Sequence, residues 1–379
     1  MKHLIRPHIY AVFGLTLLVN SAALNGQTSA TGERFRAFAV NMGNMVGVAT
    51  AQAPPQADPQ MQAVLDQLAK LGPKPIETLS PAEARKQPTP ADAVAALLKS
   101  QGKSTAPEAV GKVENKTFPG PAGPVPIRIY TPAGSGPFPA ILFIHGGGWV
   151  IANLDTYHAS ARALTNAAQS VVVSTHYRQA PEHKFPAAHD DTWAAYEWVL
   201  KNAKAFNGDS TKVAVAGESA GGNMAAAIAM TARDRKVQMP VHQLLIYPVT
   251  NHAFDTPSYQ ENADAKPLGK AGMQWFFGHY LKNAADGDSS RVSILRAANL
   301  KGLPPATIIT AQIDPLRSES EMYAKKLQEA GVDVQHQHYD GVTHEFFGMG
   351  AVVDKAKHAV QVAGSRLKSA FNQQPGTKE

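Results

Sequence analysis

The chain has 379 residues, 44% hydrophobic and 17% charged, with 36 Lys and Arg against 30 Asp and Glu for a formal charge of +6. That length holds one large or two ordinary domains with a sizeable core, and the near-average composition sets aside disordered, collagen-like and coiled-coil classes for most of it. The absence of cysteine excludes disulfide scaffolds, thiolate zinc sites, iron–sulfur clusters and a thiol nucleophile, and the basic excess is not clustered as a nucleic-acid surface requires: its densest stretch, Arg233-Asp234-Arg235-Lys236, is broken by an acid.

At the amino terminus Lys2, His3 and Arg6 precede an apolar run of 11 residues, Ile9 to Val19. That length suits the core of a signal peptide and is short for a membrane span. Ser21-Ala22-Ala23 offers the small side chains that a signal peptidase reads, with Thr28-Ser29-Ala30 a later option. Residues 1–23 are therefore expected to be a removable leader. The mature protein would be exported, periplasmic or secreted, with no stable membrane span. An uncleaved anchor helix is the competing reading, and no cysteine follows for lipid attachment. Loss of Lys2 and Arg6 lowers the charge from +6 to +4, so part of the basic balance belongs to the leader.

Residues 24–57 are rich in Ala, Gln, Gly and Pro and are expected to be a flexible linker. Met61, Val64, Leu65, Leu68 and Leu71 then follow helical spacing, and Gly72-Pro73 ends it. A second amphipathic piece runs from Ala91 to Leu98. Proline-rich Phe118-Pro119-Gly120-Pro121 gives way to alternating Val125, Ile127 and Ile129, a half-buried strand. From there short apolar runs suited to buried parallel strands (141–144, 171–173, 213–216, 244–246 and 306–310) alternate with helical patterns. One of these starts after Pro186, one covers 224–232, and one holds Met322, Leu327 and Ala330 before Gly331. This alternation predicts an α/β fold with a mostly parallel sheet. Residues 251–285 break the rhythm and are expected to be an insertion packing over the sheet end.

Gly217-Glu218-Ser219-Ala220-Gly221 lies between a strand and a helix, the context of a nucleophile elbow, in which Ser219 would project from a strained turn beside helix amides. His145-Gly146-Gly147-Gly148-Trp149 follows another strand, and three glycines let backbone amides approach a developing oxyanion. The Ala220 amide would add a donor. A serine needs a base, and the base an orienting carboxylate. Asp314 follows the strand at 306–310, and His344 follows a strand-like stretch at 332–338. The order Ser219, Asp314, His344 suits a hydrolase of this architecture. Asp340, four residues before His344, is a rival acid; His358 falls among helical residues and reads as a surface side chain. His344-Glu345 fails the zincin pattern because Gly348 stands where the second histidine would be. His336 and His338 share a strand face, either as a metal pair or as a solvated face. His183 and His189 flank Phe185-Pro186 and are read as holding a loop together.

Taken together, these motifs resemble the hormone-sensitive-lipase-like family of α/β-hydrolase esterases, family IV among bacterial enzymes. The resemblance spans roughly residues 58–372. It is carried by His145 to Trp149, Tyr177-Arg178-Gln179-Ala180-Pro181-Glu182 through Ala188, the elbow, Ile246-Tyr247-Pro248-Val249, Asp314-Pro315-Leu316-Arg317 and His344, with spacings of 95 and 30 between Ser219, Asp314 and His344. It implies an α/β-hydrolase domain over 121–373 with a cap built from residues 58–120 and part of 251–285. It implies Ser219, Asp314 and His344 as a triad, Gly146, Gly147 and Ala220 as the oxyanion hole, and neither metal nor cofactor. The implied activity is hydrolysis of small-molecule carboxylic esters of short to medium acyl chain through an acyl-enzyme. Amide or lactone hydrolysis on the same triad, or a catalytically silent binding scaffold, stay open, as does homodimerisation. The chain departs from the family at Ser318, where an acid is usual, and at Glu345, where glycine is frequent. Ser318 with Glu321 is expected to form a capping box.

Overall fold

Apolar runs of four or five residues, polar turns between them and amphipathic helices cannot each be buried alone; layered against one another they can. The structure, a computed structural model, describes residues 55–373. Its centre is an eight-stranded sheet: β1 (Lys112–Gly120), β2 (Gly123–Thr131), β3 (Phe138–Ile144), β4 (Val171–Thr175), β5 (Gly208–Glu218), β6 (Gln243–Ile246), β7 (Ala306–Ile313) and β8 (Val334–Thr343), in the spatial order β1-β2-β4-β3-β5-β6-β7-β8. β1 and β2 form an antiparallel hairpin, and β2 also runs antiparallel to β4. From β4 to β8 all neighbours are parallel.

The strand period of two assigns the core. Along β3, Ala140, Leu142 and Ile144 face one layer, while Ile141 and Phe143 face the other. The first layer holds the helices α4 (Ala187–Asn202), α5 (Ala220–Asp234) and α7 (Arg317–Glu329); the second holds α3 (His158–Ala168) and α8 (Asp354–Asn372). Every residue from Ala140 to Ile144 is fully buried, and each large apolar side chain removed from water contributes about 2 kcal/mol before entropy is counted. The sheet's carboxyl ends are thus held on a packed, two-sided base.

The remaining helices lie over those ends. α1 (Pro59–Leu71) starts at Asp58, whose carboxylate accepts from the Met61 amide at 2.8 Å, and stops at Gly72 with φ 73°. α2 (Pro90–Ser100) opens with a Thr89–Asp92 capping box, and α6 (Lys270–Tyr280) belongs to the insertion. Hydrogen bonds tie the segment between α1 and α2 to the core and to α6. The Arg85 guanidinium donates to the carbonyls of Val150 and Ala180 and to both carboxylate oxygens of Glu182, and Trp275 Nε1 donates to the Leu79 carbonyl at 3.0 Å.

Three sequence expectations need correction. The sheet begins at Lys112, so a cap boundary at 120 cuts through the β1–β2 hairpin; β1 went unread because only Phe118 is buried along it and Pro119 argues against a strand. Ser318 and Glu321 form no capping box. α7 starts at Arg317, where Asp314 Oδ1 already accepts the Leu316 amide, and Ser318 instead exchanges hydrogen bonds with Ser258. α5 starts at Ala220, four residues before the periodic pattern. The leader at 1–23 and most of the 24–57 linker lie outside the described residues. Among the described residues no helix is long and apolar enough to cross a membrane.

Candidate active site

β5 ends at Glu218 and α5 begins at Ala220, leaving Ser219 alone to turn the chain. Its φ of 56° and ψ of −119° are strained for a residue with a side chain. The turn is held by the Ser219 amide, which donates to the Ile246 carbonyl at 2.9 Å, and by the Ser219 carbonyl, which accepts from Asn223 and Val249. The tightness explains the flanking glycines: a Cβ on Gly221 would sit 2.0 Å from the Ile144 carbonyl oxygen at the end of β3. The elbow and the loop after β3 are thereby in direct backbone contact.

That loop, residues 145–149, is itself fixed. His145 is buried, its Nδ1 donating to the Gly146 carbonyl at 2.8 Å; its Nε2 accordingly accepts from His176 Nδ1 at 2.9 Å. Burial pushes the His145 pKa down to about 3, so the ring stays neutral and keeps this tautomer. The Tyr177 hydroxyl also donates to the Gly146 carbonyl, at 2.8 Å. A Cβ on Gly148 would lie 2.2 Å from the Phe276 ring, so glycine there lets the insertion close over the loop. Among the described residues the amides of Gly146, Gly147 and Gly148 make no hydrogen bond, and the Ala220 amide opens a helix whose first turn has no intrahelical acceptor. Gly146, Gly147 and Ala220 thus carry unpaired donors on the two segments that meet at Ser219.

β7 and β8 deliver the other two predicted residues. Asp314 follows β7, fully buried, with Oδ1 taken by the Leu316 amide at 2.8 Å and Oδ2 accepting from His344 Nδ1 at 2.7 Å. His344 follows β8, and its Nε2 lies 3.0 Å from Ser219 Oγ. Burial alone would lower the His344 pKa; the Asp314 carboxylate, with Glu345 and Glu218, outweighs it, and the pKa lies above the ordinary histidine value. The arrangement can draw a proton off a serine hydroxyl and hold the resulting imidazolium. The rival acid Asp340 points outward, largely exposed, with its carboxylate 3.3 Å from His338. His358 is exposed on α8 and pairs with the Tyr339 hydroxyl. His336 and His338 both contact Thr310 Oγ1, at 2.8 and 3.0 Å. His183 is exposed, whereas His189 is buried and reaches the Tyr280 hydroxyl, Asn223 Oδ1 and the Arg291 carbonyl, tying α4 to the elbow helix and the insertion.

Several site residues escaped the sequence reading. Glu218 is buried under the elbow and accepts from the Tyr247 hydroxyl; burial and the neighbouring Glu345 push its pKa up to about 8. The Tyr157 hydroxyl donates to Glu345 Oε1 at 2.6 Å, a contact across 188 positions. Glu345 departs from the family pattern, but no signal in the sequence pairs it with Tyr157. Over Ser219, His344 and Glu345 opens a cleft of about 900 Å³ walled by Leu65, Leu68 and Ile76 on one side and Leu268, Met273 and Phe276 on the other.

A family model described as the α/β hydrolase fold matches residues 141–348. The carboxylesterase NlhH of Mycobacterium tuberculosis is 40% identical over 252 residues, 65% of this chain and 79% of that protein. An ethyl acetate hydrolase of Pseudomonas putida is 33% identical over 298 residues, 78% and 92% of the two chains. Among solved structures, a thermostable esterase from Pseudomonas putida superposes with a TM-score of 0.76 at 34% identity, covering 85% of this chain and all of that one. A hyperthermophilic esterase from Pyrobaculum calidifontis gives 0.75 at 35% identity, covering 83% and 98%. With this sheet order, these motifs and these relatives, the chain belongs to the α/β-hydrolase fold family, in its hormone-sensitive-lipase-like branch.

Proposed function

We propose that this carboxylic ester hydrolase works through Ser219 as nucleophile, His344 as general base and acid, and Asp314 as the group that orients the ring, by way of an acyl-enzyme. The observation that carries the reading is the unbroken line from Ser219 Oγ to His344 Nε2 at 3.0 Å and from His344 Nδ1 to Asp314 Oδ2 at 2.7 Å. Ser219 Oγ attacks the ester carbonyl as its proton passes to Nε2. The amides of Gly146, Gly147 and Ala220 donate to the oxyanion. The proton then goes from Nε2 to the alkoxide and the alcohol leaves; a water deprotonated by the same nitrogen attacks the acyl-enzyme, and Nε2 returns that proton to Ser219 Oγ as the acid departs. Asp314 fixes the tautomer and stabilises the imidazolium without taking the proton. Ester rather than amide or lactone hydrolysis is favoured by relatives named as ester hydrolases, and a complete donor and proton-transfer set weighs against a silent scaffold.

We assign the substrate as a small-molecule ester of short to medium acyl chain, with helices α1 and α2 and the 251–285 insertion acting as the cap that limits its length. We also place the enzyme outside the cytoplasm, on the strength of the leader reading for residues 1–23. The test is kcat/KM for p-nitrophenyl acetate, butyrate and palmitate across pH. The base must be neutral to act, so a His344 pKa raised by Asp314 places the acid limb above the ordinary histidine value, activity being lost as pH falls through it. Acetate and butyrate are expected to be the better substrates. An acid limb below the ordinary histidine value contradicts the Asp314–His344 assignment, and palmitate as the best substrate contradicts the chain-length assignment.

A further inference from the structure

His344 is approached by more than one carboxylate. Asp314 occupies Nδ1, but Glu345 Oε1 lies 3.8 Å from Nε2, the nitrogen facing Ser219. Glu345 adopts φ 71°, a left-handed conformation that glycine takes freely and glutamate does not. The chain tolerates this strain and so brings a carboxylate to the reacting side of the ring. The Tyr157 hydroxyl donates to the same Oε1 at 2.6 Å and packs against Gly146, since a Cβ there would lie 2.3 Å from it. Glu345 is thus connected to the oxyanion loop on one side and to His344 on the other, and it lines the cleft.

The other groups around the ring are already committed. The Tyr247 ring lies 4.5 Å from the imidazole between centroids, and its hydroxyl is given to Glu218. Glu218 is buried and acts on His344 through space, and Ser219 Oγ completes the set. Of these carboxyl groups, Asp314 and Glu345 lie within 4 Å of an imidazole nitrogen, and Glu345 alone of the two does so on the Nε2 side.

We propose that Glu345 is a positioning residue for His344: its carboxylate, held beside Nε2 by Tyr157, keeps the imidazolium seated between Ser219 and the departing alkoxide through both proton transfers. The inference rests on the triad reading above and deepens it. Burial raises the Glu345 pKa, while the His344 charge and the Tyr157 hydroxyl lower it; in the proposed cycle the group stays a carboxylate and takes no proton. The serine proton moves to Nε2 and from there to the leaving oxygen, and the adjacent negative charge offsets the transient positive charge on the ring.

Two variants separate charge from shape. Glu345→Gln keeps the size and removes the charge; Glu345→Gly removes the charge and relieves the backbone, so it is expected to melt at or above the wild-type temperature. Removing a carboxylate beside an imidazole lowers its affinity for a proton. In both variants the acid limb of kcat/KM should therefore move to lower pH, by about half a unit or more. At the plateau kcat should fall by roughly three- to tenfold with KM held within about twofold. An unchanged acid limb in both variants overturns the proposal, as does a shift confined to Glu345→Gln, which would report altered packing. Ser219→Ala measured alongside keeps the two readings apart. Turnover surviving in Ser219→Ala removes the triad reading itself, whereas its loss together with a wild-type pH profile in both Glu345 variants removes only the role of Glu345.

Discussion

Ser219→Ala is expected to lower kcat on p-nitrophenyl butyrate by about 10⁴-fold or more while the protein melts within a degree or two of the wild type. The size of the loss follows from what the hydroxyl does. On the proposed mechanism no acyl-enzyme forms without Oγ, and what remains is binding plus the proposed oxyanion donors, the amides of Gly146, Gly147 and Ala220, acting on a direct attack by water. The small effect on stability follows from the local structure. The Ser219 side chain contacts His344 Nε2, while the amide and carbonyl that hold the turn are backbone groups retained in alanine. Alanine must still adopt φ 56°, a strain serine already bears. Initial rates and thermal melts on the same preparation check both halves. A variant that unfolds would show that the hydroxyl is a structural prop.

Gly221→Ala is expected to cost about 3 kcal/mol of stability and, in the folded fraction, to lower kcat about 100-fold. The methyl would lie 2.0 Å from the Ile144 carbonyl oxygen and 2.7 Å from that of His145. Neither is the flexible end of a side chain. Relief must come from moving the end of β3 or the start of α5, and these carry the two halves of the proposed oxyanion hole. Gly278→Ala is the control: its Cβ would meet nothing within 4 Å, and the position is exposed on α6. It is expected to be neutral or slightly stabilising. Thermal melts of the two variants, with rates normalised to folded protein, separate a clash at the elbow from a general intolerance of alanine.

How far the sequence could be read depended on how local each feature is. β3 and β5 to β7 were legible because parallel strands covered on both faces show as continuous apolar runs. β1 was not, since an edge strand reading Lys-Val-Glu-Asn-Lys-Thr-Phe-Pro-Gly buries one side chain and contains a proline. The start of α5 is not legible in the apolar periodicity because the elbow is written in glycines and a serine, poor helix formers whose place is set by the turn. The false capping box at Ser318 arose because a pattern of residue types says nothing of which acceptor is already in place; Asp314 was.

The candidate site divides the same way. Ser219 and the glycine loop announce themselves through short contiguous motifs, and chain order pointed to Asp314 and His344, which the structure brings to hydrogen-bonding distance. Asp340 was a credible rival in sequence and is set aside by its exposure and its pairing with His338. The groups that escaped, Tyr157 with Glu345 and Tyr247 with Glu218, meet only through the sheet's crossovers, and no spacing rule records such pairs.

The most direct test of the central claim is covalent labelling by a fluorophosphonate, followed by proteolysis and mass spectrometry of the modified peptide. The account predicts a single stoichiometric phosphonyl adduct on Ser219, lost in Ser219→Ala and slowed in His344→Ala. An adduct on another residue, or an unlabelled protein that still hydrolyses the ester, would contradict it.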